Sequence, residues 1–231
     1  MRMRKPWQRA LKAAFPLSLP VMAGYIVLGF GFGLLLRARG FGLFWALLMS
    51  CLIYAGSMQY IAIDLMSTGA SLIASALMTL LINARHLFYG LSMLTRYQDT
   101  GRKKPYLIFA LTDETYSIAA HHQPPEGVDK GWFYLALSAL NQLYWVLGSV
   151  LGSLFGGLEV LPTKGIEFSM TALFTVILVD QWMTARDRRP AIIGVVSSVL
   201  SLVLFGRDNF ILPAMGLITV ALMLLPRQEA A

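Results

Sequence analysis

Three short polar stretches interrupt an otherwise apolar sequence, and they contain most of the side chains that could bind a ligand or carry a proton. The first covers residues 54–60 and consists of Tyr-Ala-Gly-Ser-Met-Gln-Tyr. Small residues and an amide within an apolar helix can open the backbone, so that freed N–H groups face a carboxylate. The alternative is a close helix crossing, with Gln59 hydrogen-bonded between neighbouring helices. The candidate binding residues of this stretch are Tyr54, Gly56, Ser57 and Gln59.

The second stretch covers residues 83–90 and consists of Asn-Ala-Arg-His-Leu-Phe-Tyr-Gly. If residues 65–94 form one long or bent helix, Arg85 lies well away from its ends. A guanidinium offers a planar pair of donors to a carboxylate. Arg85 is therefore a candidate binding residue, together with Asn83 and Tyr89. The alternative places Arg85 at the membrane interface, where its long side chain reaches the lipid phosphates.

The third stretch is Thr-Asp-Glu-Thr-Tyr at residues 112–116. Adjacent side chains on a helix point about 100 degrees apart, so Asp113 and Glu114 are predicted to have different roles. One carboxylate could pair with Arg85, while the other takes up a proton or a ligand ammonium. A buried carboxylate that can be neutralised is a natural proton carrier. The alternative is a surface helix on which both carboxylates are solvated.

Other kinds of chemistry have little support in the sequence. The pair His121-His122 has no carboxylate or cysteine neighbour at ligand spacing, so neither a metal site nor another cofactor is predicted. The phosphate-binding sequence Gly-x-x-x-x-Gly-Lys-[Ser/Thr] is absent, which argues against ATP hydrolysis within the chain. The protein is therefore predicted not to be an enzyme. An intramembrane metalloenzyme that uses Asp113, Glu114 and the two histidines remains the enzymatic alternative.

The composition indicates that the helices carrying these stretches face lipid and not water. Of the 231 residues, 57% are hydrophobic and 13% are charged, and the mean hydropathy is +0.63. A soluble domain has about 25% charged residues, so a globule of this composition would expose apolar patches too large for water. The single cysteine, Cys51, cannot form an internal disulfide. The net charge of +7 is assigned to orientation in a bilayer and not to binding of nucleic acid.

Uncharged segments of suitable length predict the membrane-spanning helices. A span needs about 20 apolar residues, and six segments qualify: residues 13–36, 40–63, 65–84, 131–158, 190–206 and 209–226. Two further candidates, residues 166–183 and 106–120, contain carboxylates. The sequence therefore predicts an all-α polytopic membrane protein with about 7–8 transmembrane segments in a single transmembrane domain, residues 1–231.

Basic residues predict the orientation. Five of them precede the first span: Arg2, Arg4, Lys5, Arg9 and Lys12. Because cytoplasmic loops are enriched in lysine and arginine, the N-terminus is expected to be cytoplasmic in a multi-pass protein of the cell inner membrane. If all eight segments cross, however, Arg96 and residues 102–104 fall on the outer side, in conflict with that rule.

An internal repeat is suggested by two similar pentapeptides. Tyr-Ile-Val-Leu-Gly at residues 25–29 resembles Tyr-Trp-Val-Leu-Gly at residues 144–148, and Gly33 then corresponds to Gly152. Glycines four residues apart lie on one helix face and allow a neighbouring helix to approach closely. The repeat halves would cover residues 13–122 and 131–226. Apolar sequences also produce such matches by chance.

The three polar stretches together resemble the AzlC/YgaZ family of branched-chain amino-acid exporters in motif, order and spacing. The resemblance rests on Tyr-Ala-Gly-Ser-x-Gln, Asn-Ala-Arg-His-x-x-Tyr-Gly and Thr-Asp-Glu, at residues 54–59, 83–90 and 112–114. It implies a permease that exports branched-chain or similar small apolar amino acids together with a small membrane partner of the AzlD/YgaH type. Proton coupling is expected through Asp113 or Glu114. The alternatives are a channel or transporter for another small solute, and a scaffold subunit.

Overall fold

The computed structural model describes residues 5–157 and 187–225, with Thr175, Leu178, Val179, Trp182 and Met183 between these ranges. The chain forms two compact units, residues 1–170 (unit 1) and residues 171–231 (unit 2). The described part is α-helical and contains no strand, so the expected all-α class is confirmed. Most of the segment predicted over residues 166–183 lies outside the described residues.

Two long helices form the centre of unit 1: α1 (Pro6–Ala38) and α7 (Lys130–Phe155). Proline occupies the first position of α1, where its fixed φ angle suits a helix start. Asp129 caps α7, its carboxylate accepting a hydrogen bond from the Trp132 N–H at 2.8 Å. Both are long and apolar enough to cross a membrane, as the sequence predicts.

The α1 and α7 helices cross closely at glycines. A Cβ atom on Gly29 would lie 2.9 Å from the Trp145 carbonyl oxygen, and one on Gly148 would lie 2.7 Å from the Ile26 carbonyl oxygen. The two backbones therefore touch where the pentapeptides of the suggested repeat lie. Ser18 bonds Tyr144 at 3.0 Å, and Gly33 faces Ser149 further along both helices. Later residues of α1 therefore contact later residues of α7, so the two helices run parallel.

The segment predicted as one span over residues 40–63 is instead a helical hairpin, and that prediction is wrong. It consists of α2 (Leu43–Leu52) and α3 (Gly56–Ser67), which we call hairpin 1. The Gln59 amide of α3 donates to the Ser50 hydroxyl of α2 at 3.4 Å. Both ends of hairpin 1 lie at the finish of α1, because Arg39 pairs with Asp64 at 3.4 Å and Arg37 lies beside Gly42. The chain turns back at residues 53–55, so neither helix crosses the whole unit.

The α4 helix (Leu72–Met93) starts later than the uncharged run from residue 65 suggested. Residues 65–67 complete α3, and a turn with Gly69 at φ +64° then separates the two helices. The Ser71 hydroxyl caps α4 by accepting a hydrogen bond from the Ala74 N–H at 3.2 Å. Residues 65–94 are therefore not one helix, although residues 83–90 do lie within α4.

A second hairpin follows α4. A short 3₁₀ turn (Gly101–Lys103) leads into α5 (Lys104–Phe109), and α6 (Asp113–His121) returns; α5 and α6 form hairpin 2. Lys103, just before α5, lies over the Trp132 ring, and the Tyr106 hydroxyl of α5 donates to Gln142, so α5 runs parallel to α7. The α6 helix runs back towards the start of α7. Residues 106–120 are therefore two short helices and not one span.

One buried cluster joins the start of α1, the end of α4, hairpin 2 and the start of α7. Its members are Ala10, Ala14, Met93, Tyr97, Leu107, Leu111, Ala119, Phe133, Tyr134 and Leu137. We call this the basic end of unit 1, because Lys5, Arg9, Lys12, Arg96 and residues 102–104 all lie near it; the opposite end, where α1 and α7 finish, is the far end. The conflict with the orientation rule disappears, since each hairpin returns to the end from which it starts.

This arrangement predicts which loops share a side of the membrane. In a chain with Cys51→Ser, cysteines introduced at Arg9 and Arg102 are expected to be protected together from an impermeant maleimide added to intact cells. A cysteine at Thr68, at the far end, should be labelled. Labelling at Arg102 with protection at Arg9 would instead indicate a full crossing by residues 40–63, and would contradict hairpin 1.

Unit 2 contains α8 (Arg189–Asn209) and α9 (Ile211–Leu224). Hydrogen bonds from the Arg189 side chain and backbone hold the pKa of Asp187 below its usual value. Gly206 interrupts α8 with φ +72° and ψ 176°. Residues 189–206 form the third described helix that is long and apolar enough to span a membrane, and residues 43–52 and 72–84 are shorter apolar segments.

Candidate functional site at the hairpin tips

The tip of hairpin 1 lies at Tyr54 and Ala55, where the first polar stretch interrupts the helix as expected. Tyr54 adopts φ +42°, a left-handed conformation that costs a non-glycine residue roughly 1–2 kcal/mol. Its side chain is only 3% exposed, and its ring lies 6.4 Å from that of Phe109 in hairpin 2. The strained turn thus places Tyr54 between the two hairpins.

Gly56 begins α3 directly against α7. A Cβ atom at this position would lie 3.1 Å from the Trp145 ring. The Trp145 indole N–H donates to the Gln59 side-chain oxygen at 2.9 Å, and Gln59 is fully buried. Gln59 therefore fixes hairpin 1 to α7 through the indole, as well as bonding Ser50 within the hairpin. Ser57, also in this turn, is 8% exposed.

The tip of hairpin 2 carries the two adjacent carboxylates. Thr112 caps α6, its hydroxyl accepting a hydrogen bond from the Thr115 N–H at 3.3 Å. Asp113 and Glu114 occupy the first turn of α6, where the partial positive charge of the helix N-terminus favours a carboxylate. The helix start therefore stabilises negative charge at this tip.

Glu114 belongs to a chain of hydrogen bonds that joins three helices. The Tyr25 hydroxyl of α1 donates to the Glu114 carboxylate at 2.5 Å and lies 2.6 Å from the Thr112 hydroxyl. Thr112 bonds the Thr115 hydroxyl at 3.0 Å, which also accepts from the Asn141 amide of α7 at 2.9 Å. Tyr25, Thr115 and Asn141 are buried, so most residues of this hydrogen-bond chain are shielded from solvent.

This chain of hydrogen bonds can accommodate Glu114 in either protonation state. An ionised carboxylate only accepts, as it does here from Tyr25. A protonated Glu114 would donate to Tyr25, whose hydroxyl can then rotate to donate to Thr112, and Thr112 to Thr115. Each hydroxyl both donates and accepts. A proton on Glu114 is therefore balanced by the rotation of its neighbours, without loss of a partner.

Asp113 faces a different helix from Glu114. Its carboxylate lies 3.9 Å from the His86 ring nitrogen of α4, and both side chains are 28% exposed. One turn further on, Tyr89 of α4 stacks on Tyr116 of α6 with ring centroids 4.6 Å apart. The second and third polar stretches thus meet side by side, with Asp113 on the α4 side and Glu114 on the α1 side.

Two further candidate binding residues, Asn83 and Arg85, lie in α4. The Asn83 side-chain oxygen is buried and accepts no hydrogen bond from the described residues. The Arg85 side chain lies outside the described residues, although its backbone lies in the middle of α4. Buried polar atoms are normally hydrogen-bonded, so the Asn83 amide is suited to a polar ligand group.

The structure connects Tyr54, Gly56 and Gln59 with Glu114 through α1 and α7, and Tyr89 with Asp113 through α4 and α6. Sequence analysis missed the residues of α1 and α7 that make the first connection: Tyr25, Asn141 and Trp145. Two of them had a signal, since Tyr25 and Trp145 lie in the repeated pentapeptides. Asn141 is an amide within an otherwise apolar run.

Comparison with known proteins shows which family the chain resembles. A family model described as AzlC protein matches residues 20–158, which include all three polar stretches. The branched-chain amino acid transport protein AzlC of Bacillus subtilis (strain 168) is 42% identical over 224 residues, covering 95% of this chain and 88% of that protein. An uncharacterized membrane protein of Helicobacter pylori (strain ATCC 700392 / 26695) is 42% identical over 220 residues, covering 95% and 96%.

A more distant relative is the inner membrane protein YgaZ of Escherichia coli (strain K12), which is 28% identical over 193 residues, covering 79% of this chain and 78% of that protein. No solved structure matches the chain.

Proposed function

Because the chain belongs to the AzlC family of membrane transport proteins, we propose that it is a permease that exports branched-chain or similar small apolar amino acids. The Bacillus subtilis relative is named as a branched-chain amino acid transport protein. Export direction and proton coupling are parts of the proposal, as is the inner-membrane location with a cytoplasmic basic end.

The meeting of the two hairpin tips at mid-length of α1 and α7 is the observation that carries the proposal. The α7 helix has 26 residues, or about 39 Å at 1.5 Å per residue. The tips contact it at Asn141 and Trp145, near its middle. Transporters commonly bind substrate near the bilayer midplane, between the ends of discontinuous helices. The two hairpin tips of this protein have a position comparable to that of such a substrate site.

An amino acid presents three groups, and the tips offer a partner of suitable chemistry for each. We assign its carboxylate to Arg85 with Asn83, and to the N–H groups at the start of α3 beside Gly56 and Ser57. Its ammonium is assigned to Asp113. The apolar side chain is assigned to the surface around Tyr54 and Tyr89, with Gln59 holding hairpin 1 in place.

Glu114 is assigned to proton coupling. Its hydrogen-bond chain with Tyr25 and Thr112 accommodates the charged and the neutral carboxyl equally. Asp113 faces α4 instead, where its carboxylate lies 3.9 Å from the His86 ring nitrogen. A proton taken up by Glu114 from outside and released inside would drive an amino acid outward. The sequence left the choice between the two carboxylates open, and these contacts favour Glu114.

We also propose that the permease acts with a small membrane protein of the AzlD/YgaH type, which the family resemblance implies. The proposal is tested by counterflow of labelled leucine in proteoliposomes, with and without that partner. Unlabelled leucine, isoleucine or valine inside the vesicles should each draw the label in from outside, whereas lysine and glutamate inside should not. Arg85→Lys, which keeps the charge but loses the planar donor pair, should reduce counterflow strongly at normal abundance.

Two outcomes would contradict the proposal. Counterflow supported equally by unrelated solutes would indicate a transporter of different specificity, and equilibration of the label without counterflow would indicate a channel. Full counterflow in Arg85→Lys would place that arginine at the interface and remove it from substrate binding.

A further inference from the structure

A polar cavity of about 370 Å³ opens at the basic end, away from the hairpin tips. It is lined by residues that follow α4, follow α6 and begin α7: Thr95, Arg96, Gln123, Pro124, Lys130 and Tyr134. Two of these side chains are cationic, and three more can donate hydrogen bonds through two hydroxyls and an amide. No carboxylate is among the described residues that line it. The cavity therefore suits an anion.

The Arg96 guanidinium is held in place by the protein. One of its terminal N–H groups donates to the Ala120 carbonyl oxygen in the last turn of α6. The last carbonyls of a helix carry partial negative charge and favour a cation there. A guanidinium has five N–H donors, so this bond leaves others for a ligand in the cavity.

Lys130 contributes the second cation from the first position of α7. The N–H groups at this helix start add partial positive charge to that of the ammonium. The neighbouring Asp129 carboxylate caps α7 by accepting from the Trp132 N–H at 2.8 Å. Asp129 is thus directed to its own helix, and it is not among the residues that line the cavity.

Aromatic and apolar neighbours indicate the depth of the cavity in a membrane. Trp132 is 36% exposed and lies 4.6 Å below the Lys103 ammonium. Tryptophan with a nearby lysine is typical of the headgroup region of a bilayer. Next to Thr95, the side chains of Leu91 and Leu94 are 66% and 49% exposed. The cavity thus lies where headgroups would be, beside an apolar surface that acyl chains can cover.

We propose that this cavity binds the phosphate group of an anionic membrane lipid. Arg96 contacts the phosphate oxygens through its planar donors, and Lys130 supplies a second charge. Thr95 and Gln123 complete the set of donors. Because the cavity joins the ends of α4 and α6 to the start of α7, a bound lipid connects the base of hairpin 2 to the helix against which it packs.

Thermal unfolding of the purified chain in a neutral detergent tests this site. Added dioleoyl-phosphatidylglycerol should raise the Tm, whereas dioleoyl-phosphatidylcholine and inorganic phosphate should not. The double variant Arg96→Gln with Lys130→Gln should lose the rise. The double variant Lys5→Gln with Lys12→Gln removes equal charge at the same end, outside the cavity, and should retain it.

Arg96 also caps α6, so its replacement alone could unfold hairpin 2. Lys130→Gln keeps that bond, and it should need about tenfold more phosphatidylglycerol for half of the Tm rise, because one charge-assisted hydrogen bond is lost. An unchanged response in Lys130→Gln would overturn the proposal. A rise produced equally by inorganic phosphate would assign the cavity to a free anion instead of a lipid, and one produced equally by phosphatidylcholine would show no selection for an anionic headgroup.

Discussion

Replacement of Glu114 by glutamine is expected to abolish efflux driven by a pH gradient while equilibrium exchange of amino acid continues. Glutamine keeps the size of the side chain and an oxygen that accepts from Tyr25, but it cannot gain or lose a proton. Exchange moves no net proton, so it should survive. The measurement compares leucine efflux from loaded vesicles under an imposed pH gradient with leucine exchange in the same vesicles.

Asp113→Asn provides the matched control, since Asp113 lies one residue away and faces His86 instead of Tyr25. It should weaken amino-acid binding, seen as a higher KM for exchange, and leave the response to the pH gradient in place. Tyr25→Phe should slow gradient-driven efflux without abolishing it, because Glu114 then loses one partner but can still titrate. Gradient-driven efflux at the wild-type rate in Glu114→Gln would remove Glu114 from proton coupling.

Gly148→Ala is expected to destabilise unit 1 by about 3 kcal/mol, near the upper end of the usual cost of overpacking. Its Cβ atom would lie 2.7 Å from the Ile26 carbonyl oxygen and 2.9 Å from that of Tyr25. Both obstacles are backbone atoms of α1, so no side-chain rotation can relieve the overlap. The α1 and α7 helices would have to separate. The measurement is the Tm of the purified protein, together with its abundance in the membrane.

Gly24→Ala is the control for this substitution, because a Cβ atom at that position of α1 meets nothing within 4 Å. Alanine has the higher helix propensity, so this variant should be as stable as the wild type or slightly more so. A Tm for Gly148→Ala equal to that of Gly24→Ala would show that the crossing opens at little cost.

Hydropathy predicted most of the helical segments, but it could not predict which of them turn back. A run of 24 uncharged residues at 40–63 has the length of one span, and neither length nor polarity reveals direction. The reversal depends on Tyr54 in a left-handed conformation. Tyrosine is not a usual residue for that conformation, so the turn has no local sequence signal beyond the small residues that follow it.

The ionisable residues of the candidate site could be picked out from the sequence, but the contacts between them and other helices could not. Helix geometry was sufficient to predict that Asp113 and Glu114 face different neighbours. Their actual partners, His86 and Tyr25, depend on how hairpin 2 packs against α1 and α4, which are distant in sequence. The repeated pentapeptide singled out the position of Trp145 but not its role, which depends on its hydrogen bond to Gln59 of hairpin 1.

The directions of the helices imply a symmetry that differs in extent from the suggested sequence repeat. The α1 helix leads to the far end, from which hairpin 1 descends. The α4 helix leads to the basic end, from which hairpin 2 ascends. Residues 6–67 and 72–121 therefore have the same order of elements in opposite orientations. In transporters built from two inverted halves, the path to one side closes as the path to the other opens when the halves exchange conformations, and residues 6–121 of this chain have that inverted arrangement.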